Sequence, residues 1–367
     1  MGLASKLKSS TAPMVPPSTS PLQPQQPYAP PQQPPSTTPP YQAYASLQQQ
    51  TQAYPPAYPA YQSAYPPSPP QQSYQPPQTH QAYTSPPQQV SSGVLAQKLQ
   101  SIISHNKLEA FYDSTKFNTV LQKVQNIDFD SIAREWNIPK EIAYDLASLA
   151  LYDIVFFCDD SGSMMFEEGG ERVDDLKAII SKVAPIATLF DDDGILVRFI
   201  NSNVNGDGIR NAAETESLIQ QIRFSGGTPL ATQLEAKVIK PFVLNQATAN
   251  AMPKPVLVIA ITDGEPSDGR YKMRDVISST KQKLARTKYG PGAFALQVAQ
   301  VGKDQRAQKY LEELDNDASV GRMIDCTSYF ELESEEFRKK GVDLTPELWL
   351  TKVCVGAIDP TYDALDE

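Results

Sequence analysis

Leu151–Phe166, LYDIVFFCDDSGSMMF, is the stretch whose reading decides the fold of this chain. An apolar run from Ile154 to Cys158 meets two carboxylates and two hydroxyls within the next five residues, Asp159-Asp160-Ser161-Gly162-Ser163. Ile154, Val155, Phe156 and Phe157 are β-branched or aromatic and do not alternate with polar residues, which predicts a parallel strand covered on both faces. Ligands of open α/β sheets collect at the carboxyl ends of such strands. Asp159, Ser161 and Ser163 stand at that end with a spacing of two, so in an extended or gently turning loop their oxygens can converge on one point. Oxygen-only ligands select a hard cation, Mg²⁺ ahead of Zn²⁺.

Two further segments supply what this loop lacks. Ser225-Gly226-Gly227-Thr228-Pro229-Leu230 puts a hydroxyl on a Gly-rich turn before an amphipathic helix, and Ile259-Ala260-Ile261-Thr262-Asp263-Gly264-Glu265-Pro266 ends a second apolar run in a carboxylate. A DxSxS loop after the first strand, a later Thr on a Gly-rich loop and an Asp ending the fourth main strand resemble the von Willebrand factor type A (vWA) domain and its metal-ion-dependent adhesion site. The match covers Tyr152 to Phe330 and fills all five positions of the family's site: Asp159, Ser161, Ser163, Thr228 and Asp263. The resemblance implies Mg²⁺, with Mn²⁺ or Ca²⁺ as alternatives. Ser161, Ser163 and Thr228 would be direct ligands, and Asp159 and Asp263 would act largely through water. Neutral hydroxyls leave the cation incompletely neutralised, so an acidic side chain of a protein partner would complete the site. That is binding without turnover, and an adaptor or scaffold is the expected role.

A Mg²⁺-dependent phosphotransferase or hydrolase is the rival reading, since carboxylates and hydroxyls around Mg²⁺ also serve phosphoryl chemistry. It needs an activated nucleophile or base and cationic groups for phosphates. The chain has no GxxxxGK[ST] and no GxGxxG, and its two histidines, His80 and His105, lie outside the α/β segment. Lys254 precedes a strand and Arg270 opens a helix, so neither is placed to face the site. A third reading is a subunit packed permanently inside a larger complex.

Composition divides the chain. Of the 33 prolines, 23 precede Val90, and residues 1–92 hold no Asp or Glu and only Lys6 and Lys8 as cations. Such a segment cannot bury enough apolar surface to offset ordering, which predicts a disordered Pro/Gln/Tyr-rich tail of polyproline II character. Within it Pro55-Pro56-Ala57-Tyr58 matches PPxY, which resembles a ligand of WW domains; a bland spacer is the alternative. Met1-Gly2-Leu3-Ala4-Ser5-Lys6 resembles a myristoylation signal at Gly2 but departs from it at Lys6, where Ser or Thr is wanted. The chain's net charge is −10, and because residues 1–92 contribute only two lysines the remaining residues carry 30 cations against 42 anions, which argues against nucleic-acid binding and against adsorption to acidic membranes. Cys158, Cys326 and Cys354 fit no zinc spacing and read as reduced core residues of an intracellular, cytoplasmic protein. No signal-peptide core and no run of transmembrane length is present in the sequence.

The expected architecture is a doubly wound, mainly parallel α/β sheet over 151–344, preceded by a helical extension over 93–150 and followed by a helix and acidic tail over 345–367. In the extension, Leu95, Leu99, Ile102 and Ile103 recur at helical spacing, Asp128 or Asp130 caps a short helix, and Pro139 opens a helix from Lys140 to Leu151. Further helices are expected over Val173–Phe190, Leu230–Leu244 and after Thr345-Pro346. An Asn205-Gly206 turn should lead into a short edge strand. Asp359–Glu367 reads as a solvated terminus, with Asp363, Asp366 and Glu367 as candidate intramolecular caps of the metal.

Overall fold

The computed structural model describes residues 92–320 and 323–363. The signal at Gly2, the Pro55-Pro56-Ala57-Tyr58 motif and residues 364–367 lie outside the described residues. The fold is α/β. Strands β1 (Asp153–Cys158), β2 (Ile195–Phe199), β3 (Gly206–Ile209), β4 (Val256–Thr262), β5 (Phe294–Gln300) and β6 (Ile324–Thr327) form one sheet in the order β3-β2-β1-β4-β5-β6. All neighbouring pairs are parallel except β2 with β3. Every residue of β4 and β5 is buried, as unbroken apolar runs require when helices cover both faces. From β1 the chain runs outward to β2 and β3, then crosses back to β4 on the other side. The order therefore reverses between β1 and β4, and the crevice outside their carboxyl ends is the place such a sheet offers a ligand.

Around the sheet lie α1 (Ser92–Asn106), α2 (Ser114–Gln125), α3 (Phe129–Glu135), α4 (Lys140–Ala143), α5 (Gly162–Phe166), α6 (Glu171–Phe190) and α7 (Ala212–Ile219). They are followed by α8 (Leu230–Leu234), α9 (Asn245–Thr248), α10 (Lys272–Leu284), α11 (Gln305–Asp315), α12 (Phe330–Lys339), α13 (Pro346–Val355) and α14 (Pro360–Asp363). The predicted stripe Leu95, Leu99, Ile102 and Ile103 is buried. The helices before β1, the sheet and α13 share one continuous core. Phe111 stacks on Tyr289 with ring centres 4.8 Å apart, and Phe129 lies 6.1 Å from Phe190.

Four local expectations are corrected. The segment Lys140–Leu151 is α-helical only to Ala143 and continues as a 3₁₀ helix, Tyr144–Leu151. All its residues from Asp145 onward are buried, so no solvent face holds it to a 3.6-residue period, and the tighter coil packs against α1 and α13. The helix begun by α8 widens into a π-helix over Glu235–Leu244 that contains Pro241. Proline has no N–H to give and crowds the carbonyl four residues back, a conflict that a wider turn relieves. Asn205-Gly206 is not the hairpin turn: Gly206 already pairs with Val197 inside β3, and residues 200–205 make the connection. Gly206 is needed for close approach, since a Cβ there would stand 2.5 Å from Leu218 Cδ2.

The fourth correction concerns the acidic terminus. Asp359 is 2% exposed and ion-paired with Lys98, and the buried Tyr362 donates its hydroxyl to Asp145 Oδ2 at 2.7 Å. Asn106 Nδ2 donates both to the Ile358 carbonyl at 2.7 Å and to the Tyr152 hydroxyl at 3.1 Å. Tyr152 precedes β1, so the start of the acidic segment is anchored at the amino edge of the sheet, opposite the Asp159–Ser163 loop. The thiols are all free; Cys158 and Cys354 are buried and Cys326 half-buried. Among the described residues no helix is long and apolar enough to cross a membrane.

Candidate functional site

β1 and β4 run side by side with Cys158 in register with Ile261, and the Asp159 amide donates to the Ile261 carbonyl at 2.8 Å. This delivers the two loops that follow the strands to the same crevice. The Asp159 carboxylate is fixed at both oxygens: Oδ1 accepts from the Ser161 amide at 2.9 Å and Oδ2 from the Thr262 hydroxyl at 2.7 Å. Ser161 Oγ lies 3.0 Å from Ser163 Oγ, which donates to Asp263 Oδ1 at 3.1 Å. Four of the five expected residues thus form one hydrogen-bonded string. Thr228 sits beside them on a loop tied to both neighbours by backbone: Gly162 N–H donates to the Gly226 carbonyl at 3.1 Å, and Ser267 N–H to the Thr228 carbonyl at 2.9 Å. Among the described residues no hydrogen bond joins the Thr228 side chain to the other four.

The second carboxylate of the loop braces it. Asp160 is fully buried; its Oδ1 accepts from the Asn201 amide and its Oδ2 from the Ser202 amide, each at 2.7 Å. Asn201 Nδ2 reaches on to the Gly227 carbonyl at 2.9 Å. The loop after β2 therefore ties the β1 loop to the Gly-rich loop, a role that the Asn-rich composition of 201–205 did not disclose.

Asp159 and Asp263 are both 0% exposed. Burial first, and the neighbouring Asp263 charge second, push the Asp159 carboxyl up to about 6, while the Thr262 hydroxyl and Ser161 pull it back. The counter-charge is Arg172, which sequence reasoning missed. Its Nη1 meets Asp263 Oδ2 at 2.6 Å, and Nε and Nη2 hold Glu168 Oε1 at 3.1 and 2.6 Å. Gly302 makes room for the guanidinium, since a Cβ there would stand 2.4 Å from Arg172 Nε. Burial opposes the Arg172 charge, but Glu168 and Asp263 hold its pKa above the ordinary arginine value. A signal was present: Arg172 precedes Leu176, Ile179 and Ile180 by four, seven and eight positions, which puts a charge on the buried stripe of α6. A charge on such a stripe calls for a buried partner.

The donor set fits a small hard cation. Adjacent oxygens around an octahedral ion with bonds of about 2.1 Å lie about 3 Å apart, close to the 3.0 and 3.1 Å spacings along Ser161, Ser163 and Asp263. The longer bonds of Ca²⁺ would spread them. Among the described residues no group of three or more His, Cys, Asp or Glu is placed to hold a metal, so a cation here would rest largely on hydroxyls. The chain matches no protein-family model and no curated protein.

Proposed function

We propose that this chain is a vWA-type adhesion module, which captures an acidic side chain of a protein partner through Mg²⁺ held at Asp159, Ser161, Ser163, Thr228 and Asp263. The observation that carries the reading is the string of oxygens running from the β1 loop to the β4 loop across the crevice where strand order reverses. The bound cation would supply electrostatic attraction for a carboxylate. The chain's own groups do the positioning: Thr262 and the Ser161 amide fix Asp159, and Arg172 fixes Asp263. Because Arg172 already offsets Asp263, the protein would neutralise only part of a divalent charge. A partner carboxylate is then favoured at the metal. Met165 and Phe166, 43% and 79% exposed just beyond Ser163, supply apolar contact next to the charge. No observation favours the phosphotransferase reading, since Arg172 is committed to Asp263 and Glu168 rather than turned toward a phosphate. In this reading the protein is an intracellular adaptor, with Pro55, Pro56 and Tyr58 available to a WW domain.

The test has two stages. Titration calorimetry should show Mg²⁺ binding to the full chain and none to Asp159→Ala; equal binding by both would sink the metal site. Affinity capture from a native cell extract should then return proteins in Mg²⁺ that are lost both in EDTA and with Asp159→Ala. If the same proteins come down under all three conditions, metal-dependent adhesion is wrong.

A further inference from the structure

Behind the metal loop, α6, the turn after β5, the start of α12 and the start of α13 enclose a cavity of about 330 Å³. That volume lies within the range of small-molecule sites. We infer that this cavity binds a cationic amine carried on an apolar body.

Three independent features converge on that chemistry. The first is negative charge without a counter-ion. Glu171 and Asp175 stand one turn apart on α6 and both line the cavity. Among the described residues no hydrogen bond or ion pair engages either one. The other two lining carboxylates are occupied, Glu168 by Arg172 and the Lys303 amide, and Glu331 by Lys303 Nζ at 3.1 Å. Lys182, the remaining lining cation, is held by Glu347 at 2.5 Å. Like charges at this helical spacing repel. Glu171 and Asp175 both keep solvent-exposed surface, yet partial desolvation, helped by the charges of Glu171, Glu331 and Glu168, raises the Asp175 carboxyl to about 6.

The second feature is an apolar and aromatic wall formed by Ile179, Phe330, Trp349 and Leu350. Trp349 already donates its indole N–H to the Ser328 carbonyl at 2.9 Å, so what it offers a ligand is its ring. An ammonium is drawn to such rings as well as to carboxylates. The third is Gln300, 0% exposed at the inner end of the cavity. Its Nε2 donates to the Gly302 and Asp304 carbonyls at 3.2 and 3.1 Å, whereas its Oε1 accepts no hydrogen bond. A buried acceptor without a donor is unfavourable, and an ammonium N–H is a donor of the right kind, reaching Oε1 only by displacing the side chains that cover it, since that oxygen has less than 1 Å² of accessible surface. An anion would meet the carboxylates, and a neutral apolar molecule would leave them and Gln300 as they are.

The experiment uses the full chain in EDTA, so that its outcome is independent of the proposed metal site. Calorimetry and saturation-transfer NMR are run with 2-phenylethylammonium, 2-phenylethanol and 3-phenylpropionate. The ammonium is expected to bind about tenfold or more tightly than the alcohol, a difference of about 1.4 kcal/mol, and the carboxylate not at all. Glu171→Gln with Asp175→Asn, its fold checked by circular dichroism, should reduce ammonium binding to the level of the alcohol. Equal binding of ammonium and alcohol would reduce the cavity to a greasy pocket and overturn the inference. So would preference for the carboxylate, unchanged binding by the double variant, or no binding at millimolar concentration.

Discussion

The two ends of the sheet each bury a pair of carboxylates and treat them differently. At the amino edge Asp145 and Asp359, 3% and 2% exposed, share Lys98, and Tyr362 adds a hydroxyl to Asp145. At the carboxyl edge Asp159 and Asp263, both fully buried, have Arg172, which touches Asp263 alone and also serves Glu167 and Glu168. The consequence shows in acidity. Burial works against the Asp359 charge, but Lys98 holds that carboxyl below its ordinary value. Asp159 has hydrogen bonds but no cation, and is pushed up to about 6. At one edge the cation touches both carboxylates; at the other it touches Asp263 alone and leaves Asp159 without a cation where strand order makes a binding crevice. A fold can tolerate such a shortage at a functional site when the rest of the core compensates.

The largest expected effect tests the edge where one lysine serves both carboxylates. Lys98→Met removes the cation from two buried carboxylates and should lower folding stability by about 3–5 kcal/mol, measured by urea denaturation. A loss below about 1 kcal/mol would mean that the ion pairs there are not what holds the terminus. The same edge predicts a pH response. Because the folded-state pKa of Asp359 is depressed, its contribution is present above about pH 4 and is lost as pH falls through the folded value. Stability should therefore rise with pH in the acid range, and Lys98→Met should flatten that slope.

Arg172→Met comes next and sharpens the comparison. In EDTA it should cost about 2–4 kcal/mol, because Asp263 is left buried without a counter-charge. Mg²⁺ should then bind about tenfold more tightly, since the cation replaces what the arginine supplied. Weaker Mg²⁺ binding would instead make Arg172 a scaffold that shapes the site rather than a charge that competes with the metal.

Asp159→Asn should act in the opposite direction. The amide preserves an acceptor for the Ser161 amide and a partner for Thr262, and removes a buried negative charge facing Asp263. The metal-free chain should gain about 1–2 kcal/mol while Mg²⁺ binding is abolished, as read from thermal unfolding with and without Mg²⁺. Destabilisation in EDTA would place Asp159 among the structural carboxylates and erase the distinction between the two edges.

These contrasts also mark where the sequence was legible. Unbroken apolar runs marked β1 and β4 as buried parallel strands, and their polar ends pointed to Asp159, Ser161, Ser163 and Asp263, which the fold brings into one hydrogen-bonded string. Hydroxyls and carboxylates at strand ends are local signals, and local signals survive in one dimension. Arg172 was legible only as an offence against the apolar stripe of α6, because its partner Asp263 lies 91 residues away. The Lys98–Asp359 pair spans 261 residues and left no local trace, so Asp359 read as one more charge on a solvated end. Pro241 was visible inside its helix, but whether proline ends, kinks or widens a helix depends on what packs around it. The 3₁₀ segment after Ala143 was hidden because burial on every side removes the periodicity by which helices are recognised.

The smallest expected effect concerns the terminus itself. Its carboxylates suggested an intramolecular cap for the proposed cation, and the anchoring of Ile358, Asp359 and Tyr362 at the amino edge argues against that. The six residues of β1 separate the amino edge from the Asp159–Ser163 loop by about 20 Å at about 3.3 Å per residue. Residues 363–367 could span about 17 Å if fully extended, and they start from Tyr362, held to Asp145 on the helical layer beyond that edge. Deleting residues 364–367 should therefore change Mg²⁺ affinity, measured by calorimetry, by less than about twofold. A marked gain in affinity would mean that the terminal carboxylates reach the proposed cation site. The amino edge would then release its hold on Tyr362, and the two ends of the sheet would be coupled rather than merely different.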